Sequence, residues 1–220
     1  MRSKKLFWAI FVVSLVLGLW AYFALPVSRM PVHLNFYGEV DRYGSKFSGT
    51  LLFPLMILGI GLLMLYLDRI DPMRGNVAKS KKALYPLLNG IAAFMLFMQI
   101  VFIWLVRTGA SKVDSHLILI GVGLLFIFIG NYLPTIKRNF FVGIRTPWTL
   151  ASDEVWRDTH RIGGWGFVLL GLWTIIVGFL RLGIWWWLVP FILVMVYIGI
   201  IYPFYRFKKI QASTASNDDE

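Results

Sequence analysis

The sequence predicts an all-α polytopic integral membrane protein with six transmembrane helices and both termini cytoplasmic. Three observations carry this reading. Hydrophobic residues make up 58% of the 220 positions and charged residues 15%, whereas a soluble domain has about 45–50% and about 25%. Mean hydropathy is +0.70. The 22 Lys and Arg outnumber the 11 Asp and Glu, and they fall between the apolar runs rather than in one patch. This composition argues against a disordered chain or a typical cytosolic enzyme. With Cys 0, disulfides, thiolate metal sites and cysteine nucleophiles are excluded.

The first span is expected over residues 6–25, an uncharged run of 20 residues. As a helix it is about 30 Å long and matches the hydrocarbon core of a bilayer. Arg2, Lys4 and Lys5 before it resemble the basic start of a signal peptide. The apolar run is too long for that, and no small-x-small cleavage site follows, so an uncleaved anchor is expected. Five more spans are expected near 50–67, 83–106, 117–133, 162–182 and 184–205. The last two are separated only by a link near Leu182-Gly183 and should form a helical hairpin. Trp185, Trp186 and Trp187 suit the water–lipid boundary there, and Arg181 can snorkel to it. Pro86, Pro190 and Pro203 lie near span ends or kink a span.

Orientation follows from where the cations lie. Alternate exposed segments hold 16 Lys and Arg on one side and 6 on the other. Cytoplasmic loops carry the excess, so both termini are expected inside. The whole chain, 1–220, then reads as a single membrane domain. It has an outer loop 26–49, an inner loop 134–161 and a polar tail 211–220 expected to fray. The positive charge is explained by topology, and no nucleic-acid module is visible.

Two loops carry polar positions worth naming. In the outer loop, His33 and Asn35 alternate with Val32, Leu34 and Phe36, as in a half-exposed strand. Tyr37-Gly38-Glu39 then reads as a turn, and Val40 to Tyr43 as a returning strand. His33, Asn35, Tyr37, Asp41 and Tyr43 are the candidate contacts for a ligand on this side. His33, Glu39 and Asp41 are too loosely spaced to argue for a metal, and none is expected. In the inner loop, Pro134 should end span four, just after Asn131 at its inner end. Lys137, Arg138 and Arg145 face an anionic leaflet, and Phe140 and Phe141 can dip into it. Ser152 is a good N-cap, with Asp153 and Glu154 complementing the helix start. That helix should carry Trp156 and His160 on one face. The plain reading of this loop is a surface-lying or re-entrant connector; the functional one is a headgroup site or a docking surface. Ser152, Asp153 and His160 make no hydrolase motif, because no nucleophile-elbow glycines surround the serine.

Inside the spans, Asn89, Gln99 and Asn131 are the notable polar residues, and none ionises. Interhelical hydrogen bonds are their expected role, which argues against a proton-coupled pump. Gly164, Gly171 and Gly178 repeat at seven-residue intervals. This stripe is read as a packing surface for a neighbouring helix.

The run Gly130-Asn131, Pro134, Asn139, Gly143-Ile144-Arg145-Thr146-Pro147-Trp148-Thr149-Leu150, Val155-Trp156 and Thr159-His160-Arg161 resembles the signature of the SdpI family of multi-spanning bacterial membrane proteins. The outer loop, through Leu25-Pro26, Pro31, His33, Asn35, Gly38, Asp41, Tyr43 and Ser45-Lys46, resembles an N-terminal domain of uncharacterised function often found in the same proteins. The resemblance implies a bacterial cell-membrane protein that protects its cell from a secreted, membrane-active peptide toxin. It also implies a possible second role, in which the toxin-engaged protein captures a cytoplasmic autorepressor. On that reading the outer residues contact toxin. Asn131, Asn139, Gly143, Arg145, Thr146, Pro147, Trp148, Trp156 and His160 form the inner binding surface. No catalysis and no cofactor are expected. The alternatives are a membrane enzyme or lipid handler acting on phospholipid headgroups, and a passive transporter.

Overall fold

The computed structural model describes residues 2–218. Six of its helices are long and apolar enough to cross a membrane. Helix α1 spans Arg2–Ala24. It stops before Leu25-Pro26, as a residue preceding proline disfavours helical torsions. A two-stranded antiparallel hairpin follows, β1 Arg29–Leu34 and β2 Val40–Ser45. Ser45 caps α2 (Lys46–Ile70) by accepting from the Ser48 N–H, and Asp71-Pro72 ends that helix. Helix α3 (Arg74–Thr108) is 35 residues long, or about 50 Å. It exceeds a bilayer core, so its first turns, with Lys79, Lys81 and Lys82, extend beyond the apolar layer.

Asp114 caps α4 (Ser115–Tyr132), and Pro134 turns its end into a 3-10 turn over Leu133–Thr135. The short helix α5 (Pro147–Ala151) lies in the following connector, and Ser152 caps α6 (Asp153–Phe179). The expected polar cap at Ser152 is therefore present. The chain then turns within four residues into α7 (Ile184–Val196). A π turn, Tyr197–Ile201, joins this to α8 (Tyr202–Asp218). That turn lies just before Pro203, whose missing N–H interrupts the regular ladder. Most of the tail expected to fray continues this helix to Asp218, and positions 219–220 lie outside the described residues.

The glycine stripe of α6 has one partner, α4. A Cβ at Gly171 would lie 2.5 Å from the Gly123 carbonyl oxygen, and one at Gly164 would lie 2.8 Å from that of Gly130. Gly178 faces the His116 carbonyl and Leu119. Gly123 and Gly130 are themselves seven apart, so two matched stripes run antiparallel and bring the backbones together. The stripe is thus spent within the chain.

Helices α1, α2 and α3 meet around a polar knot. The Ser14 hydroxyl donates to Gln99 Oε1 at 2.6 Å, and Gln99 Nε2 donates to the carbonyls of Ser14 at 3.0 Å and Thr50 at 3.2 Å. Gln99, Ser14 and Thr50 are buried. Asn89 donates to the Ser3 carbonyl and hydroxyl. Both residues make the interhelical bonds expected of them. Asn131 does not: its amide donates to Ile127 of its own helix, and the residue is exposed. Large apolar side chains such as Leu169, 62% exposed, cover the outside. In water such a surface would drive association, whereas in a bilayer it meets lipid.

Candidate functional site

Polar and chemically versatile groups gather at the two ends of the bundle. One end holds the β-hairpin, the α3–α4 loop and the α6–α7 turn. The other holds the α2–α3 turn, the 136–152 connector and α8.

At the hairpin end, Asn35 builds the turn. Its Oδ1 accepts the backbone N–H groups of Tyr37 at 2.9 Å and Glu39 at 3.0 Å, and its amide donates to Glu39 Oε2 at 3.0 Å. Gly38 follows with φ +78, a left-handed torsion suited to glycine. The hairpin tip is stitched to the α3–α4 loop: Val40 N–H donates to the Ser111 carbonyl at 3.0 Å and Val113 N–H to that of Gly38 at 2.8 Å. Lys112 reaches Glu39 at 3.4 Å. The Asn35 amide, and then Lys112, hold the Glu39 carboxyl below the usual carboxylate range. Leu34 and Val40 pack with Phe102, Leu105 and Val113. His33 and Asp41 pair across the strands at 2.6 Å, on the exposed side. Tyr37 and Tyr43 remain exposed. Beside Tyr37 lies a cleft of about 650 Å³, walled by Lys112, Asp114, His116 and Arg181. Asp114 lies 3.6 Å from Arg181 and 3.8 Å from His116. Of the candidate residues here, Tyr37 and Tyr43 present free surface, His33 and Asp41 satisfy one another, and Asn35 is spent on the turn.

The connector end is built differently from a loose surface loop. Asn139, 1% exposed, organises its first half. Its Oδ1 accepts from the N–H groups of Phe141 at 2.9 Å and Val142 at 2.7 Å. Its amide donates to the carbonyls of Lys137 at 2.9 Å and Val142 at 3.0 Å. All four of its hydrogen-bonding positions serve the fold. Trp156 lies in the apolar core with Leu67, Val77, Leu84 and Ile136, and its indole N–H donates to the Ile136 carbonyl at 2.8 Å. His160 stacks on it, ring centroids 4.0 Å apart. His160 Nδ1 bonds the Trp156 carbonyl at 2.8 Å, while Nε2 accepts the Ile144 N–H at 3.1 Å. That pair of bonds requires the neutral ring with its proton on Nδ1. Gly143, at φ +121, crosses these rings so closely that a Cβ would overlap His160 Nε2 and crowd Trp156.

The second half of the connector is equally self-contained. Thr146 and Thr149 form a reciprocal capping box around Pro147, and the Thr149 hydroxyl reaches the Ile144 carbonyl at 2.9 Å. Arg145 donates to the Phe140 carbonyl at 2.7 Å and is exposed, as are Phe140 and Pro147. Trp148 meets Phe204 of α8 edge-on at 5.3 Å. Phe141, expected in the lipid interface, instead packs against the Trp156 core.

Four side chains that sequence reasoning passed over brace this connector, a plug on the end of the bundle, and the helices around it. Asp71 is fully buried and accepts the Met73 N–H at 2.7 Å and the Phe140 N–H at 2.9 Å. Asn76 donates to the Arg138 carbonyl at 2.9 Å, and Ser80 accepts the Lys137 N–H at 2.9 Å. Arg206 pairs with Asp158 at 2.7 Å and also with Glu154. The Asp71-Pro72 helix stop was the one available sequence signal for the first of these. Among the described residues no group of three or more His, Cys, Asp and Glu has metal-ligating geometry.

Residues 135–203 match the SdpI/YfhL protein family, and residues 9–58 match a domain of unknown function, DUF1648. The chain is similar to "Immunity protein SdpI" of Bacillus subtilis (strain 168), with 28% identity over 130 residues, 58% of this chain and 62% of that relative. The match thus spans less than two thirds of the relative's length. No solved structure matches the chain. This multi-pass cell-membrane protein therefore carries both segments its sequence resembles, the SdpI/YfhL signature and the DUF1648 domain ahead of it.

Proposed function

We propose that the chain is a non-enzymatic membrane immunity protein that protects its cell from a secreted, membrane-active peptide arriving on the hairpin side. The observation that carries this reading is the hairpin end itself. A β-hairpin welded to the α3–α4 loop exposes Tyr37 beside a cleft of about 650 Å³ with charged and aromatic walls. An amphipathic peptide needs both kinds of wall, and a rigid platform lowers the ordering cost of gripping it. Similarity to an immunity protein supports the same reading. Signalling to a cytoplasmic repressor is the finer proposal. Asn139, Trp156 and His160 are buried, so the partner would read Phe140, Arg145 and Pro147 on the exposed face of the plug. Peptide binding shifts that face only if it prefers one arrangement of the bundle.

Survival of a toxin-sensitive bacterium expressing the protein tests the platform. Tyr37→Ala with Lys112→Ala should abolish protection at unchanged protein level. Full protection by that variant would reject the hairpin end as the contact. Arg145→Ala should spare protection and lose only the transcriptional response; an intact response would reject the plug face.

A further inference from the structure

The connector end holds a cleft of about 260 Å³ between α3, the connector and the first turn of α6, whose lining includes Asn76, Lys79, Lys137, Arg138, Asp153 and Arg157. Arg138 is neutralised there, with Nε 2.8 Å from Asp153 Oδ1 and Nη1 donating to the Leu150 carbonyl at 2.7 Å. Among the described residues, Lys79 and Lys137 have no carboxylate partner, and Arg157 lies only at 3.9 Å from Asp158, which Arg206 already engages. Three cations of separate origin thus share one concave site without a matching anion. A second cleft of about 260 Å³ shares Lys79 with it and adds Lys82, Asn131, Tyr132 and Thr135.

The depth of this site narrows the choice of anion. The apolar run of α3 starts at Ala83, directly after Lys79 and Lys82, and α4 ends at Tyr132. The clefts therefore sit where the hydrocarbon layer gives way to headgroups. Trp156 and Pro134 contribute apolar walls beside the cations. Asn131, exposed and bonded only through its amide nitrogen to its own helix, adds an amide to the second cleft.

We propose that these neighbouring clefts bind an anionic phospholipid headgroup, its phosphate held by Lys79, Lys137 and Arg157. Charge-assisted bonds from ammonium and guanidinium groups to phosphate oxygens supply the attraction, and Asn131 is suited to a headgroup hydroxyl. An occupied site would brace the α3 end of the plug, because Asn76 and Ser80 of the same helix already bond the connector beside it. The inference is independent of the immunity reading and of which side of the membrane the site faces.

The test uses the full chain in detergent, titrated with phosphatidylglycerol or phosphatidylcholine and read by native mass spectrometry. Phosphatidylglycerol should bind at least about tenfold more tightly than phosphatidylcholine, because its net negative headgroup meets three unpaired cations. Lys79→Gln with Lys137→Gln should erase that preference. Lys79→Arg with Lys137→Arg should keep it, and so should Lys4→Gln with Lys5→Gln, which removes equal charge elsewhere. Thermal unfolding of each variant separates lost binding from lost folding. Equal binding of the two lipids, or a preference unchanged in the Lys79/Lys137 glutamine variant, would overturn the proposal. Displacement of phosphatidylglycerol by equimolar inorganic phosphate would overturn the lipid assignment in favour of a free anion.

Discussion

At the scale of single residues, the connector depends on positions where one side-chain atom decides the outcome. Gly143→Ala adds a Cβ at φ +121, onto the His160 ring. Backbone strain and overpacking together should cost about 2–4 kcal/mol, seen as a lower unfolding midpoint and faster amide exchange at Ile144. Asn139→Ala leaves buried backbone groups unpaired and should cost about 2–3 kcal/mol in the same measurement. Arg181 gives the opposite sign. It holds φ +56 after α6, where Leu182 N–H bonds the Val177 carbonyl at 3.0 Å and Arg181 N–H that of Gly178 at 3.4 Å. This is the helix-ending arrangement in which glycine is usual. Arg181→Gly should stabilise by about 1 kcal/mol, since its ion pair with Asp114 is exposed and weak. Sequence reading found Asn139, Gly143, Trp156 and His160 as special but assigned them to a binding surface. It could not see that the side chains of Asn139, Trp156 and His160 turn inward and that Gly143 packs its backbone on the two rings, because orientation depends on the path of the connector.

At the scale of elements, the matched glycine stripes make α4 and α6 one unit. Gly171→Ala and Gly130→Ala should each destabilise by about 1–3 kcal/mol, because the obstacle to the new methyl is backbone that cannot swing away. Gly59→Ala is the control: nothing lies within 4 Å of its Cβ position, so better helix propensity should stabilise it by about 0.5–1 kcal/mol. Unfolding in detergent by a denaturing surfactant measures all three. The seven-residue spacing was legible in sequence, while the partner was not, since any helix with small residues would fit. The hairpin was equally legible through alternation and its Tyr37-Gly38-Glu39 turn, but its union with the α3–α4 loop was not. That union has a pH signature. Glu39 is held below its ordinary value in the folded state, so its contribution is complete above the unfolded pKa and is lost as pH falls through the lower folded one. Amide protection at Val113 should therefore weaken as pH falls through the carboxylate range.

For the molecule as a whole, orientation is the property on which the functional proposal turns. The chain has Cys 0, so single cysteines can be placed without background. With the cations inside, Tyr37→Cys should react with a membrane-impermeant maleimide in intact cells, and Arg145→Cys should react only after permeabilisation. The reverse pattern would place the plug outdoors and remove its proposed access to a cytoplasmic partner. The sixth span, Ile184–Ser213 through α7, the π turn and α8, is packed least, with 6% of its apolar stretch buried against 39% for α6. Few internal contacts mark it as the first span to separate from the bundle under load, and lipid must cover most of its surface.

Sequence alone determined that this chain crosses a membrane, because burying or exposing a run of twenty apolar residues is decided by its own composition and length. It marked the Ser152 cap of α6 and the Pro134 stop of α4, since caps and prolines act within a few residues, while polar first turns such as those of α3 lay outside the apolar run that announced the helix. Only tertiary structure decided what the polar residues do. Asp71, Asn76 and Ser80 became braces of a connector more than fifty residues away, and Lys79 came to share a cleft with Lys137 and Arg157. Hydrogen bonds and fields act across a few ångströms of space, and no local pattern encodes which distant segments the bundle will bring that close.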